Sequence, residues 1–169
     1  MAAGSTYTPI ATTTLASAQA QVTFSSISGS YTDLVLVMNG SMSSGSETAR
    51  VTLNNSASSI YSQTNLAGSG SSAASSRNSG QTSFRLGETY AGLGTARWTV
   101  LLNLMNYSNT STYKTILMRT NDTAGEVAAN VGLFRDTAAI TRIDIYSRID
   151  LANTFAAGST FTLYGIAAA

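Results

Sequence analysis

The stretch WTVLLNLM, from Trp98 to Met105, places a large apolar side chain at every second position. An extended chain turns successive side chains to opposite faces, so this period of two predicts a β-strand with one buried face. Residues 140–147 alternate in the same way. Residues 34–38 are apolar throughout, which is typical of a central strand covered on both faces, either by the chain itself or by another subunit.

Eight further segments are rich in β-branched or aromatic residues and are separated by turns that contain Gly or Asn. Helix-forming residues are sparse, and no fixed repeat is present. Short strands with turns between them predict an all-β sandwich of antiparallel sheets, and the 169 residues fit a single domain, 1–169. The further segments are 7–15, 21–26, 50–54, 60–66, 82–86, 113–121, 130–134 and 160–166.

Two segments stand apart from this pattern. The run GSGSSAASSRNSG at 68–80 has low complexity and a single charge, and it predicts a mobile loop. At the other segment, residues 1–15, Tyr7, Pro9 and Ile10 could anchor an otherwise polar N-terminal arm on a neighbouring subunit.

The composition excludes several classes of function. The chain has no Cys and no His, which excludes disulfides, thiolate nucleophiles, Cys/His metal sites and catalysis by imidazole. Charged residues make up 10% of the chain and the net charge is +1, so no basic surface for nucleic acid is expected. The longest aliphatic run is too short to cross a bilayer, and we recognise no secretory signal, so we expect no membrane partner.

Eight carboxylates are the remaining source of catalytic chemistry. Glycoside hydrolysis needs two of them at a defined separation, whereas the simpler interpretation is that they pair with arginines at turns. Asp122 and Glu126 could bind calcium, although an Asx-turn is the simpler interpretation there. Gly68 and Gly70 lack the lysine of a phosphate loop. We therefore predict no catalytic, cofactor-binding or metal-binding residue, and three pairs: Asp136 with Arg135, Asp144 with Arg142, and Asp150 with Arg148.

The aromatic residues allow two interpretations. Amphipathic rings suit carbohydrate faces, but they also anchor cores and interfaces, which we favour. Arginine outnumbers lysine eight to one, and its planar, weakly hydrated cation tolerates contacts between chains. The rings concerned are Tyr31, Tyr61, Tyr90, Tyr107, Tyr113 and Trp98. The predicted interface residues are Tyr7, Pro9, Ile10, Val35, Val37, Leu101, Met105, Arg142 and Tyr146.

Five stretches, taken in order, resemble a family of small virion proteins from tailed phages of aquatic and cyanobacterial hosts. They are TYTPIATTTL at 6–15, TFSSISGSYTDLVLV at 23–37, NYSNTSTYKT at 106–115, VGLFRDTAAI at 131–140 and FAAGSTFTLYGI at 155–166. The resemblance does not extend to 41–94. It implies a jelly-roll β-sandwich that assembles as trimers, on the capsid surface or on fibres and tail appendages, and it implies no catalytic motif.

The expected function is that of a capsid decoration or cement protein. Such a protein forms a homotrimer on the virion surface, binds the major capsid protein and stabilises the shell through several simultaneous contacts. The alternative is a tail or head-fibre module that binds host-surface glycans. Exposed aromatic rings beside the loops of 41–94 would favour that alternative.

Overall fold

The computed structural model describes residues 6–46, 48–87, 93–148 and 150–167. Twelve strands, numbered β1 to β12, form two sheets in these ranges, and no helix there is long and apolar enough to span a membrane. In chain order the strands are Tyr7–Thr14, Gln21–Phe24, Asp33–Gly40, Ala49–Leu53, Tyr61–Gly68, Ala73–Gln81, Phe84–Leu86, Trp98–Met105, Lys114–Asp122, Val127–Phe134, Ile143–Tyr146 and Thr160–Ile166. The larger sheet has the order β1-β12-β3-β8-β9-β10-β5-β6, and the smaller has the order β2-β11-β4-β7.

The chain passes repeatedly between the two sheets. Strands β1, β3 and β12 of the larger sheet alternate along the chain with β2, β4 and β11 of the smaller one. A meander of β8, β9 and β10 forms the middle of the larger sheet, and all pairings are antiparallel. The predicted all-β, jelly-roll-like antiparallel sandwich is confirmed.

The core lies between the sheets and uses the alternation seen in the sequence. From Trp98 to Leu104, every second side chain of β8 points inward and is at most 2% exposed. Ile143 and Ile145 of β11 are fully buried on the opposing sheet. The two segments with the clearest period of two therefore both supply the core, as predicted.

An aromatic cluster connects the sheets at one end of the core. The ring centroid of Tyr61 on β5 lies 4.9 Å from that of Phe84 on β7 and 4.9 Å from that of Phe134 on β10. The Tyr61 hydroxyl accepts a hydrogen bond from the backbone N–H of Leu53 at 3.0 Å. Burial of this hydroxyl raises the pKa of Tyr61 to about 12. The cluster therefore fixes β5, β7 and β10 relative to one another.

The segment predicted as a central strand occupies that position. Strand β3 lies between β12 and β8, and Leu34, Leu36 and Met38 point into the core. On its second face Val35 is only 4% exposed, whereas Val37 is half-buried. Residues of the same chain therefore cover much of the second face of β3, and the part at Val37 stays accessible.

Two segments differ from the expectations. Most of the Gly/Ser-rich stretch at 68–80 forms β6 instead of an irregular loop, because its backbone pairs with β5 along nearly its whole length. Residues 7–14 of the expected arm form β1, which pairs with β12 and is an edge strand of the molecule's own sheet. Residues 1–5 lie outside the described ranges.

Candidate functional site: the outer face of the larger sheet

The larger sheet turns one side toward the smaller sheet and the other side away from it. We call the second side the outer face; it is formed by every second residue of each strand. In the described ranges eight large apolar side chains are exposed, and six of them lie on this face. They are Tyr7, Leu66, Leu117, Val127, Val131 and Leu133, which are 37–59% exposed. A concentration of exposed apolar residues on one face marks an interaction surface.

Five of these six residues lie on β10 or on the two strands that pair with it. Ala129 of β10 lies opposite Arg119 of β9 and opposite Leu66 of β5. Val131, the next outer residue of β10, lies opposite Leu117 of β9. Directly paired residues on one face are close enough for their side chains to interact. The apolar side chains therefore form a continuous strip along β10.

The outer side chains of β10, at Val127, Ala129, Val131 and Leu133, form the floor of a groove. A hollow of about 1000 Å³ lies where β10 begins at Val127, between β5 and β6 on one side and β8 on the other. Gly68, Ala73 and Ala129 line it, and their small size leaves the space open. A smaller hollow of about 310 Å³ follows along β10 beside Val131. We call the two hollows together the β10 groove; β10 has eight residues, which gives a length of about 25 Å.

Two arginines flank the β10 groove. Arg119 of β9 lines the larger hollow, and Arg77 of β6 lines the smaller one. Strands β10 and β5 lie between β9 and β6, so the two arginines stand on opposite sides of the floor, about 15 Å apart. Within the described part of the chain neither guanidinium has a hydrogen bond or ion pair, and no carboxylate lines either hollow. The groove is therefore apolar and carries two available cations.

The predicted interface residues divide between the two sheets. Ile10 lies at a bulge of β1 and packs against the core, and its expected role at an interface stays a prediction. Arg142 and Tyr146 lie on the smaller sheet or beside it, and of the remaining six only Leu101 lines the β10 groove. The six residues on the outer face are Tyr7, Pro9, Val35, Val37, Leu101 and Met105.

The sequence analysis did not identify the residues of β10 that form the groove floor. The segment VAANVGLF at 127–134 has apolar residues on both faces, with Val127, Val131 and Leu133 on one and Ala128 and Phe134 on the other. Its period of two is therefore weak, and only 130–134 was predicted as strand. The pairing of β10 with its neighbours was needed to show that the face with Val127, Val131 and Leu133 is the exposed one.

A buried ion pair lies on the side of the smaller sheet that points away from the core. Asp144 is 0% exposed and accepts hydrogen bonds from the Thr23 hydroxyl at 2.7 Å, the Gln21 amide at 3.0 Å and the Arg142 guanidinium at 2.8 and 2.7 Å. Burial acts to raise the pKa of Asp144, but the hydrogen bonds and charge of Arg142, together with Thr23 and Gln21, hold it below its usual value. The carboxylate also raises the pKa of Arg142. Because both of its oxygens accept hydrogen bonds from neighbouring side chains and none of its surface is exposed, Asp144 has a structural role in the smaller sheet.

The predicted pairs of carboxylates and arginines are partly confirmed. The pair of Asp144 with Arg142 is present, and Arg148 lies 3.0 Å from Asp150. The expected pair of Asp136 with Arg135 is wrong. Arg135 instead donates a hydrogen bond to the Ser62 hydroxyl at 3.0 Å, because it directly follows β10, which pairs with β5.

The turn that joins β9 to β10 is an Asx-turn, as the simpler interpretation predicted. The Asp122 carboxylate accepts hydrogen bonds from the backbone N–H groups of Ala124 at 2.9 Å and Glu126 at 3.1 Å. Both bonds are accepted by the same oxygen, Oδ1, as in other Asx-turns. Across the described ranges, no cluster of three or more metal-ligating side chains occurs.

The aromatic rings mostly serve the core. Tyr61 and Phe84, the described rings within 41–94, are fully buried, and Tyr90 lies outside the described residues. Tyr107 and Trp98 are also buried. The described part of 41–94 therefore carries no exposed ring of its own; of the other named rings, Tyr31 is half-buried and Tyr113 is 53% exposed.

No protein-family model and no curated protein matches the sequence. Among solved structures, CG-16, a homodimeric agglutinin from chicken liver, is 9% identical with a TM-score of 0.36, covering 83% of this chain and 98% of that one. A variant of alginate lyase Aly36B in complex with alginate tetrasaccharide is 10% identical with a TM-score of 0.31, covering 94% and 80%. A marine alginate lyase from Aplysia kurodai is 11% identical with a TM-score of 0.21, covering 82% and 72%. Similarities this weak carry no argument about function.

Proposed function

We propose that the chain is a structural protein of a phage virion. It acts as a capsid decoration or cement protein, forms homotrimers on the capsid surface and binds the major capsid protein, without catalysis or a cofactor. The observation that carries the proposal is the concentration of six exposed apolar residues on one face of a chain with only 10% charged residues. Such a surface favours association with protein. The resemblance of five segments to tailed-phage virion proteins supports the assignment to a virion.

The outer face is wide enough for two different contacts. On β1 and β12 the rings of Tyr7 and Tyr164 meet edge to face, with centroids 6.2 Å apart, and nearby Val37 of β3 lies opposite Thr162 of β12. This half of the face suits contacts between subunits of the trimer. The β10 groove on the other half then remains available to the shell. A trimer presents three such grooves, and once one is bound the others bind at a high effective concentration.

The copy number of the chain in purified virions tests the proposal. Quantitative mass spectrometry gives this number relative to the major capsid protein. A ratio comparable to that of the shell protein is expected, because a decoration protein covers the whole capsid. A ratio of a few per cent or less would contradict decoration and move the chain to a tail or fibre.

Light scattering of the purified chain tests the homotrimer. We expect three times the chain mass of 17.5 kDa. Val37→Asp should yield a monomer because it places a charge in the contact, whereas Leu151→Asp should stay trimeric, since Leu151 is 48% exposed outside the larger sheet. A melting curve for each variant separates loss of assembly from loss of folding. A monomeric parent protein would refute the trimer.

Glycan binding by a tail or head-fibre module is the second candidate. One observation favours it: Tyr7 is 56% exposed and makes a ring pair with Tyr164 at the edge of the outer face. Amphipathic rings of this kind suit the faces of sugars. A glycan array should give a signal that Tyr7→Ala abolishes, and an array without signal would contradict this candidate.

A further inference from the structure

The β10 groove has the dimensions of an extended polypeptide. Its floor repeats a side chain at Val127, Ala129, Val131 and Leu133, at intervals of about 7 Å. A peptide extended along the groove repeats its own side chains at the same interval, so every second one can meet the floor. No aromatic ring is among the described residues that line the groove. The floor therefore fits aliphatic side chains and lacks the stacking surfaces that sugars use.

A two-fold contact with a second copy of the chain does not fill this groove. A two-fold contact presents the same surface on both subunits, so one groove would face the other and the hollows would remain unfilled. It would also bring Arg77 and Arg119 toward the same two cations of the copy. The occupant must instead be slender enough to enter the groove.

The two arginines beside the groove favour an occupant that carries negative charge. Arg77 and Arg119 stand on opposite sides of the floor, and within the described chain neither has a partner. The groove supplies no carboxylate of its own. A guanidinium forms short, charge-assisted hydrogen bonds with a carboxylate, often two at once. An acidic side chain next to aliphatic ones therefore complements this surface.

We infer that the β10 groove binds an extended segment of a partner protein that is aliphatic at alternate positions and carries at least one acidic residue. The inference deepens the proposed function and rests on it for the identity of the partner, because a segment of the shell protein would be the occupant. The binding chemistry is tested in solution, separately from the particle.

Selection from a displayed library of random twelve-residue peptides on the full-length protein tests the inference. We expect enriched peptides with aliphatic residues at alternate positions and Asp or Glu among them. The strongest one, labelled with fluorescein, then gives a Kd by fluorescence polarisation. Arg119→Glu should raise this Kd about tenfold or more, because it replaces a charge-assisted bond with repulsion. Arg148→Glu, a matched charge reversal after β11, should leave the Kd unchanged within about twofold.

A steric variant tests the hollow without changing its charge. Ala129→Trp fills the larger hollow from an exposed position on the outer face and should raise the Kd about tenfold or more. Ala138→Trp, at an exposed alanine after β10, is the matched control and should leave the Kd unchanged. Melting curves establish that both variants fold.

Three outcomes would overturn the inference. The first is enrichment of basic peptides or of no peptide, and the second is a Kd that both Arg119→Glu and Ala129→Trp leave unchanged. The third is binding of oleate below its micellar concentration with no acidic peptide enriched, which would assign the groove to an anionic lipid chain. A shell-level copy number combined with any of these results would retain the decoration role and refute only the assignment of the groove. A low copy number combined with enrichment of the expected peptides would refute the decoration role and retain the assignment of the groove.

Discussion

Replacing Gly132 with alanine tests how closely the two sheets approach each other. Gly132 lies on the inner side of β10, where a Cβ atom would stand 2.6 Å from Cε1 and 2.9 Å from Cδ1 of Phe84. Atoms this close must separate, so the ring has to move. Phe84 is fully buried and its ring centroid lies 4.9 Å from that of Tyr61, so any movement disturbs the aromatic cluster. The added methyl group therefore strains the contact between β10 and β7.

The size of the effect follows from two opposing contributions. Alanine restricts the unfolded chain more than glycine does, which alone would stabilise the fold by about 0.5–1 kcal/mol. Overpacking a filled core costs about 1–3 kcal/mol. We expect Gly132→Ala to lower the free energy of unfolding by about 1–2 kcal/mol. For a chain of 169 residues this corresponds to a fall in Tm of about 3–6 °C.

Gly68→Ala is the matched control, because the same methyl group has room there. The nearest heavy atoms to its Cβ would be the carbonyl oxygen of Ser72 at 3.6 Å and Cγ2 of Val127 at 3.9 Å, which are ordinary contacts. This variant should be neutral or more stable by about 0.5 kcal/mol. Urea denaturation followed by the fluorescence of the buried Trp98 measures both variants.

The refuting result is a Gly132→Ala protein as stable as its parent. It would mean that the Phe84 ring moves away at no cost and that the sheets are not held at this distance. A second substitution, Phe84→Leu, provides a further check, because the smaller side chain should make Gly132→Ala less costly than it is beside Phe84. A double-mutant cycle measures this coupling, and a coupling free energy near zero would also contradict the reasoning.

The other predictions concern three buried polar groups. Lys114, the only lysine, is fully buried and donates to the carbonyls of Thr112 at 2.8 Å and Thr137 at 3.0 Å. An amine-reactive ester should therefore label the folded chain only at its α-amine, by mass spectrometry, and native labelling of Lys114 would contradict this. Burial lowers the pKa of Lys114, so wild-type stability should rise with pH toward about 10, and Lys114→Met should flatten that rise in urea titrations. The lowered pKa of Asp144 contributes stability that is complete above about pH 4 and is lost as the pH falls through the folded value. Asp144→Asn should therefore lose about 1–2 kcal/mol at pH 7 and approach the parent in acid; an equal difference at both pH values would refute this. The Tyr107 hydroxyl donates to the Ser28 carbonyl, so Tyr107→Phe should cost about 1 kcal/mol in thermal melts, and an unchanged Tm would contradict that.

The fold class could be predicted because it depends on local periodicity. Strands β8 and β11 each have one apolar face, and that property alone identifies them. The order of strands in the sheets could not be predicted, since it depends on distant pairings such as that of Tyr7 with Ile166. Contacts of this kind are set by which apolar faces can be buried together, and a single sequence does not reveal this.

Strand β6 shows where composition misleads. Its sequence, AASSRNSGQ, has no β-branched or aromatic residue and no apolar alternation, so local propensity predicts a loop. The strand forms because β5 offers it backbone partners along nearly its whole length at the edge of the sheet. Nearly all of its side chains are exposed, which small polar residues tolerate. Tertiary context therefore overrides propensity at this edge.

The candidate site depends on register more than on any motif. Arg77 and Arg119 are distant in the chain, and they flank one floor only because β9, β10, β5 and β6 pair as they do. A shift of one residue in the pairing of β5 with β6 would turn Arg77 toward the inside of the sandwich. The sequence could predict that an outer face would be apolar, from Val37 and Leu101, but the groove required the pairing of four strands. Substitutions that change this register should therefore abolish the groove even when every residue that lines it is retained.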